Sequence, residues 1–394
     1  MLGPFTVDSP YWPDVEPVLR AAREQVGVEL TVLRLLVTPD LGTRAVDQGG
    51  DVSYLARPSG PLPAGTALLP ASAAELAAAA REHPLRLPWA EPGGVAAVVA
   101  WADEVLAAAG TPRTGAVQQV KTWNLSCVLR LPTASGTVWC KSVPPFLAHE
   151  GVVIGALVQS HPRLVPPLLG ADRRAGTVLL GHLPGVDQWR CPPERLHAMV
   201  HLVVDLQHDW SGRVPELLAL GLPDWRAPAL QDRLAALVSR PDVRAHLDVG
   251  ERRELDALLG CLPRTLQDLS ACGIPDTLVH GDLHPGNWRF GEDRLTLLDW
   301  GDSGVGHPML DVPAFLGRVP EAERARLLAG WADRWRAHHP DADAERAIDL
   351  VRPVAALRQA LVYQRFLDGI EPDERLYHRD DVPQWLRRAV ALAR

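Results

Sequence analysis

No stretch of this sequence carries an uninterrupted apolar run long enough to cross a bilayer, so a helical membrane protein is not expected. The alanine, leucine and valine that dominate its apolar content are broken throughout by charges and prolines. Met1-Leu2-Gly3-Pro4 also lacks a basic start followed by an apolar stretch. A cytoplasmic protein without a secretory signal is therefore expected. Cysteine is scarce: Cys127, Cys140, Cys191, Cys261 and Cys272 are scattered, odd in number and without a CxxC pair. Small reduced thiols are expected there, rather than disulfides or a zinc site. Positive charge is in deficit, with 40 Lys and Arg against 48 Asp and Glu, a formal net charge of −8. That balance argues against a nucleic-acid partner and suits a cationic small molecule.

What is present is a folded-protein profile, 47% hydrophobic and 22% charged over 394 residues, too long for one ordinary core. Val15, Val18, Leu19, Ala22 and Val26 share one face at helical spacing. The run 31–37 reads as a strand, 38–50 as a turn-rich gap, and 51–56 as its hairpin partner. After the punctuation of Pro58, Gly60, Pro61, Pro63 and Gly65, helices are expected near 72–81 and 95–109. From about residue 112 the pattern turns strand-rich, with strands at 116–120, 127–131 and 137–142 and the last at 176–180. Beyond Pro184-Gly185 it turns helical. One helix carries Leu196, Met199, Val200 and Val203, another carries Leu255, Leu258, Leu259 and Leu262, and Pro263 is expected to kink or end the second. The coarse map is an α+β unit at 1–110, a β-rich lobe at 111–184 and a helical lobe at 185–394.

The densest chemistry lies in Leu278-Val279-His280-Gly281-Asp282-Leu283-His284-Pro285-Gly286-Asn287. An apolar run delivers the chain to a polar turn. Residues 288–290 and 295–298 then read as a hairpin ending at Asp299-Trp300-Gly301-Asp302. Phosphoryl transfer needs such a set: a carboxylate to orient and deprotonate a hydroxyl, met by Asp282, and hard oxygens to hold magnesium (Mg2+), met by Asn287 and Asp299. His-x-Asp-x-x-x-x-Asn is the catalytic-loop spacing of protein kinases, and Asp-Trp-Gly stands where their Asp-Phe-Gly stands.

On these motifs the chain resembles the aminoglycoside phosphotransferase family of small-molecule kinases. The resemblance implies an α+β, two-lobed protein-kinase-like fold over about residues 115–394, with the N-terminal unit as an addition. It implies Asp282 as catalytic base, with Asn287 and Asp299 as magnesium ligands. Gly306-His307-Pro308-Met309-Leu310-Asp311 is similar to the family's Gly-Asp-Pro-x-x-Asp segment, with His307 in place of the usual aspartate. Lys141 at a strand end is expected to steady the phosphates of ATP (or GTP), paired with Glu150 at the start of a helix. The phosphate-covering loop is expected at 121–126, which has no glycine, so Ser126 or backbone amides would serve. Gly181-His182-Leu183 is the expected hinge against adenine. The expected reaction moves the γ-phosphoryl group to a hydroxyl of a small acceptor, such as an aminoglycoside, an amino sugar or a similar cationic molecule.

Some residues invite blander readings. His280 is expected to support the loop by hydrogen bonding. His338-His339 reads as a surface loop, and the acidic stretch from Asp368 to Asp381 as a solvated loop or an attractor for a cationic substrate. Gly-Asp-Leu-His also opens the metallophosphoesterase signature, but its later Gly-Asp-x-x-Asp and Gly-Asn-His-Glu/Asp segments are missing after residue 284. A catalytically weak, kinase-like binding or regulatory module is the other alternative, disfavoured because Asp282, Asn287, Asp299 and Lys141 are all retained. A protein kinase is disfavoured because Asp299 and Asp311 leave no room for an activation loop.

Overall fold

The computed structural model describes residues 1–9, 11–36 and 51–394. Val37, at the end of the first predicted strand, and the gap 38–50 lie outside the described residues. The chain folds into two compact units: 1–148 with 167–182 and 367–377, and 149–166 with 183–366 and 378–394.

The first unit opens with α1 (Glu16–Val26), closed by Gly27 in the left-handed conformation, which glycine adopts without a side-chain penalty. Its predicted face is buried at Val15 and Ala22. Strands β1 (Leu30–Leu36) and β2 (Ser53–Pro58) form the expected antiparallel hairpin. Helix α2 (Ala73–Ala80) starts at a capping box, in which Ser72 and Glu75 satisfy each other's backbone amides. Helix α3 (Gly94–Ala108) follows.

The main sheet comprises β3 (Gln118–Thr122), β4 (Cys127–Thr133), β5 (Gly136–Ser142), β6 (Leu168–Asp172) and β7 (Thr177–Gly181), in the order β3-β4-β5-β7-β6. Strict alternation along β4 buries Cys127, Leu129, Leu131 and Thr133 on one face. Leu129, Leu131, Cys140 and Leu179 share a core with Trp89, Ala102 and Leu106, so the early helices and the sheet bury one another. Each fully buried leucine there contributes about 1.5–3 kcal/mol. Edge strand β6 was not expected. Its apolar run is short, and Gly170 coincides with a register shift against β7.

The second unit is mainly helical: α4 (Glu150–Ser160), α5 (Pro193–Ser211), α6 (Val214–Ala219), α7 (Ala227–Ser239), α8 (Pro241–Ala245), α9 (Val249–Ser270), α10 (Val312–Leu316), α11 (Glu321–His338), most of α12 (Ala344–Gly369) and α13 (Asp381–Leu392). The predicted end at Pro263 is corrected: α9 runs through it to Ser270, held by buried Leu255, Leu262, Leu266 and Leu269. Among these helices lie short strands. A two-residue β8 (Val186–Asp187) joins the predicted hairpin of β10 (Trp288–Gly291) and β11 (Arg294–Leu297). Glu292 and Asp293 turn that hairpin with φ of 53° and 55°, the positive values a tight two-residue loop demands. Strand β9 (Thr277–Val279), fully buried, pairs antiparallel with β12 (Gly304–Gly306).

Candidate active site

The loop between β9 and β10 carries the predicted catalytic residues. At its entry Gly281 has φ +89°, and a Cβ there would meet the Asp302 carbonyl oxygen at 2.1 Å and Arg358 Nη2 at 2.5 Å. Only glycine fits that position. The loop closes on itself through Asn287, whose Nδ2 donates to the Asp282 carbonyl at 2.9 Å. With the amide nitrogen engaged there, the amide oxygen is left as the group's acceptor. The backbone of Asn287 accepts from Leu298 N at 2.8 Å, which brings the far end of the hairpin beside the loop. The next residue, Asp299, is exposed and sits at φ 63°, ψ 61°, a conformation aspartate tolerates better than most residues.

The charges of these groups act on one another. The Asp282 side chain is 44% exposed, with its Oδ2 3.5 Å from His284 Nε2. Partial burial pushes its carboxyl up and Asp299 adds to that, but the hydrogen bond and charge of His284 outweigh both and hold it below the ordinary value. His284 is itself stacked on Trp189, centroids 4.7 Å apart and planes 19° from parallel. His280 is buried, its Nε2 2.9 Å from the Leu298 carbonyl, and burial pushes its imidazole down.

Two further residues hold the loop from behind. Asp311, fully buried, accepts from the amides of His280 at 2.9 Å and Gly281 at 2.8 Å, and from Gln207 Nε2 at 2.9 Å. Arg358, 2% exposed, donates to the carbonyls of Gly281 at 2.8 Å and Asp302 at 2.9 Å. Sequence reasoning quoted Asp311 only as the end of a motif and missed Arg358 and Trp189. The motif's closing aspartate was the one available signal. Arg358 lies within α12, with nothing local to distinguish it.

The remaining predicted residues fall as follows. In the first unit Lys141 lies on β5 opposite Val128 and Val178. Ser126 is buried and its Oγ accepts from Trp123 Nε1 at 2.9 Å. Gly181 ends β7, and exposed His182 accepts from Trp139 Nε1 at 3.1 Å. In the second unit Glu150 opens α4 with 1% exposure, and Leu183 is buried.

Two of the bland expectations are corrected. His338 ends α11 instead of lying in a loop. It stacks on His208 at 4.0 Å and bonds Asp205 at 2.8 Å. The acidic stretch is not simply solvated: Glu371 is buried and ion-paired with Arg86.

Comparison with known proteins adds to this geometry. The profile of the "Phosphotransferase enzyme family" matches residues 117–348. No curated protein sequence matches the chain. Among solved structures, a macrolide 2'-phosphotransferase from Brachybacterium faecium superposes with a TM-score of 0.51 at 17% identity, covering 72% of this chain and 97% of its own. A choline kinase from Streptococcus pneumoniae superposes with a TM-score of 0.52 at 14% identity, covering 75% and 99%. At such identities the likeness speaks to fold.

Proposed function

This chain belongs to the phosphotransferase enzyme family, with an α+β two-lobed kinase-like fold, and from that premise we propose that it moves the γ-phosphoryl group of ATP (or GTP) to a hydroxyl of a small molecule in a magnesium-dependent reaction in the cytoplasm. The observation that carries this reading is the convergence of Asp282, Asn287 and Asp299 at one loop and hairpin.

Asp282 orients the acceptor hydroxyl and takes its proton as the new O–P bond forms and the β–γ bond of the nucleotide breaks. Its lowered carboxyl keeps it ionised for that task at neutral pH. The donor set fits a hard cation: the amide oxygen of Asn287 and the carboxylate of Asp299 are the kinds of oxygen ligand magnesium takes. When bound, the ion neutralises phosphate charge. Lys141 and Glu150 serve the nucleotide phosphates, and Gly181-His182-Leu183 meets the base. With Ser126 Oγ engaged by Trp123, phosphate capture at 121–126 falls mainly to backbone amides.

Charge supports a cationic acceptor. Burial first, and then the carboxylates of Asp381, Asp282 and Asp302, push the Tyr363 hydroxyl up against the opposing pull of Arg318. An amino sugar, an aminoglycoside or a similar cationic alcohol suits that surrounding. The test is thermal stabilisation by nucleotide with and without magnesium, on the native chain and Asp299→Ala, followed by an acceptor screen of hydroxylated amines. A magnesium-dependent shift that the substitution removes is expected. No shift with ATP or GTP would overturn the reading in favour of a binding module.

A further inference from the structure

The family profile begins at residue 117, which leaves residues 1–116 without a counterpart in it. Within the first unit, several of their contacts meet at one element, the turn 123–126 between β3 and β4. β3 is an edge strand of the main sheet, and the segment 13–15 covers that edge just before the turn. Thr122 N donates to the Pro13 carbonyl at 2.9 Å, and Val15 N to the Val120 carbonyl at 3.1 Å. Asp14 and Lys121 pair in this short antiparallel bridge. The side chain of Gln119 ties β3 to β1 as well. Its Oε1 accepts from Val32 N at 2.9 Å, and its Nε2 donates to the Val32 carbonyl at 2.8 Å.

The turn itself closes on a hydrogen bond from Trp123 N to the Ser126 carbonyl at 3.0 Å. Its remaining partners come from outside. The Trp123 carbonyl accepts from Trp89 Nε1 at 3.0 Å. The Trp123 ring meets Trp12 edge to face, with centroids 6.3 Å apart, and Trp12 is backed by Tyr377, stacked at 4.6 Å. Asn124 is fully buried, and its Nδ2 donates to the Glu374 carbonyl at 3.4 Å. Trp12, Trp89, Glu374 and Tyr377 all lie outside the span 117–348 that matches the family. A glycine-rich phosphate loop has much conformational freedom to lose when a nucleotide binds. Here residues 121–126 contain no glycine, and their neighbours order them as the chain folds.

We propose that the N-terminal addition, together with the returning segment 372–377, holds the phosphate-covering loop ready for nucleotide, with Trp12 and Trp89 as positioning residues; this rests on the reading that residues 121–126 cover the phosphates. Loss of either brace lets the turn populate other conformations, and a bound nucleotide must then order it again. Fixing the backbone of one residue corresponds to about tenfold in an equilibrium constant. The loop acts on phosphates and not on the base. The penalty therefore falls on ATP and spares adenosine, whereas general damage to the unit would weaken both.

The experiment compares the full native chain with Trp12→Leu and Trp89→Phe. Trp12→Leu removes the ring that meets Trp123. Trp89→Phe keeps an aromatic ring in the core and deletes the donor to the Trp123 carbonyl, so it tests the brace even where the first variant folds poorly. Magnesium-ATP affinity is read by calorimetry, adenosine affinity by saturation-transfer NMR, and loop order by amide hydrogen exchange at Thr122 and Trp123. In both variants those amides should exchange about tenfold faster or more, and magnesium-ATP should bind about threefold to tenfold more weakly. Adenosine affinity should stay within about twofold of the native value. Trp12→Phe, which keeps an aromatic edge against Trp123, should recover most of the ATP affinity. No magnesium-ATP binding by the native chain overturns the phosphotransferase reading and this proposal with it. Native binding that both variants retain in full overturns this proposal alone, as do equal losses for ATP and adenosine, which would make the N-terminal addition a general stabiliser of the unit.

Discussion

At the scale of single residues, chemistry fixes what the sequence can show. That Asp282, Asn287 and Asp299 come together was legible because a short loop and a hairpin tie their spacing to the backbone; the proton-transfer and cation-binding roles proposed for them tolerate few residue types. Asp282→Asn keeps the volume and removes the base. Turnover should fall about 10²- to 10⁴-fold, while nucleotide affinity measured by calorimetry stays near the native value. Full turnover would remove Asp282 from the mechanism. Its lowered carboxyl also sets a pH expectation. Protonation of the base requires pH below the ordinary carboxylate value of about 3.9, so the acid limb of kcat/KM assigned to Asp282 should lie below that value. Substituting His284 by Phe removes the group that lowers it. The limb should then move upward, and an unmoved limb would show that His284 does not act on the base. What was illegible at this scale was support from afar. Arg358 and Trp189 carry no motif, and their roles come from side chains meeting across the fold.

Among elements, periodicity revealed those with a clear hydrophobic face and failed where packing overrides propensity. The β10–β11 hairpin was readable from apolar runs flanking Gly291-Glu292-Asp293. Of the two outcomes expected at Pro263, a kink or an end, the end does not occur, because tertiary burial of one face of α9 outweighs the missing backbone donor. β6 was lost because an edge strand of this length carries too little pattern. The turn Pro308–Asp311 shows how an element without regular periodicity still governs the site. It places the Asp311 carboxylate on two consecutive loop amides. Asp311→Leu leaves those amides and Gln207 Nε2 without their acceptor. Each buried group left unsatisfied costs about 1–3 kcal/mol, so chemical denaturation should show a loss of several kcal/mol. In any fraction that folds, kcat should fall, because the loop that carries Asp282 and Asn287 loses its anchor. An unchanged unfolding midpoint would mean that the loop holds itself in place.

For the molecule as a whole, the sequence suggested successive lobes, but chain order says nothing about where a late segment returns. Residues 367–377 belong to the first unit although the chain on either side belongs to the second. Within that unit Glu371 pairs with Arg86 through two hydrogen bonds, 2.9 and 3.0 Å, across 285 positions of sequence. Both side chains are 6–7% exposed. Tyr377 stacks on Trp12 at 4.6 Å. Arg86→Met strands a buried carboxylate and should cost about 3–5 kcal/mol. The neighbouring Glu374 gives the unit a pH signature. Although some of its surface is exposed, burial and then the charge of Glu371 push its carboxyl up to about 8, against the pull of Arg34 and Arg86. An unfolded glutamate titrates near about 4.3. Between those values the folded chain keeps a proton that the unfolded chain releases, so stability falls as pH rises through this window and levels off above it. Glu374→Gln stays neutral throughout and should flatten that part of the profile, raising Tm more at pH 8 than at pH 5. Parallel Tm profiles for the two proteins between pH 5 and 8 would mean that Glu374 is ionised in the folded state, and that the segment is held without its proton, by contacts such as the Arg86–Glu371 and Arg81–Asp373 pairs and the aromatic packing of Tyr377.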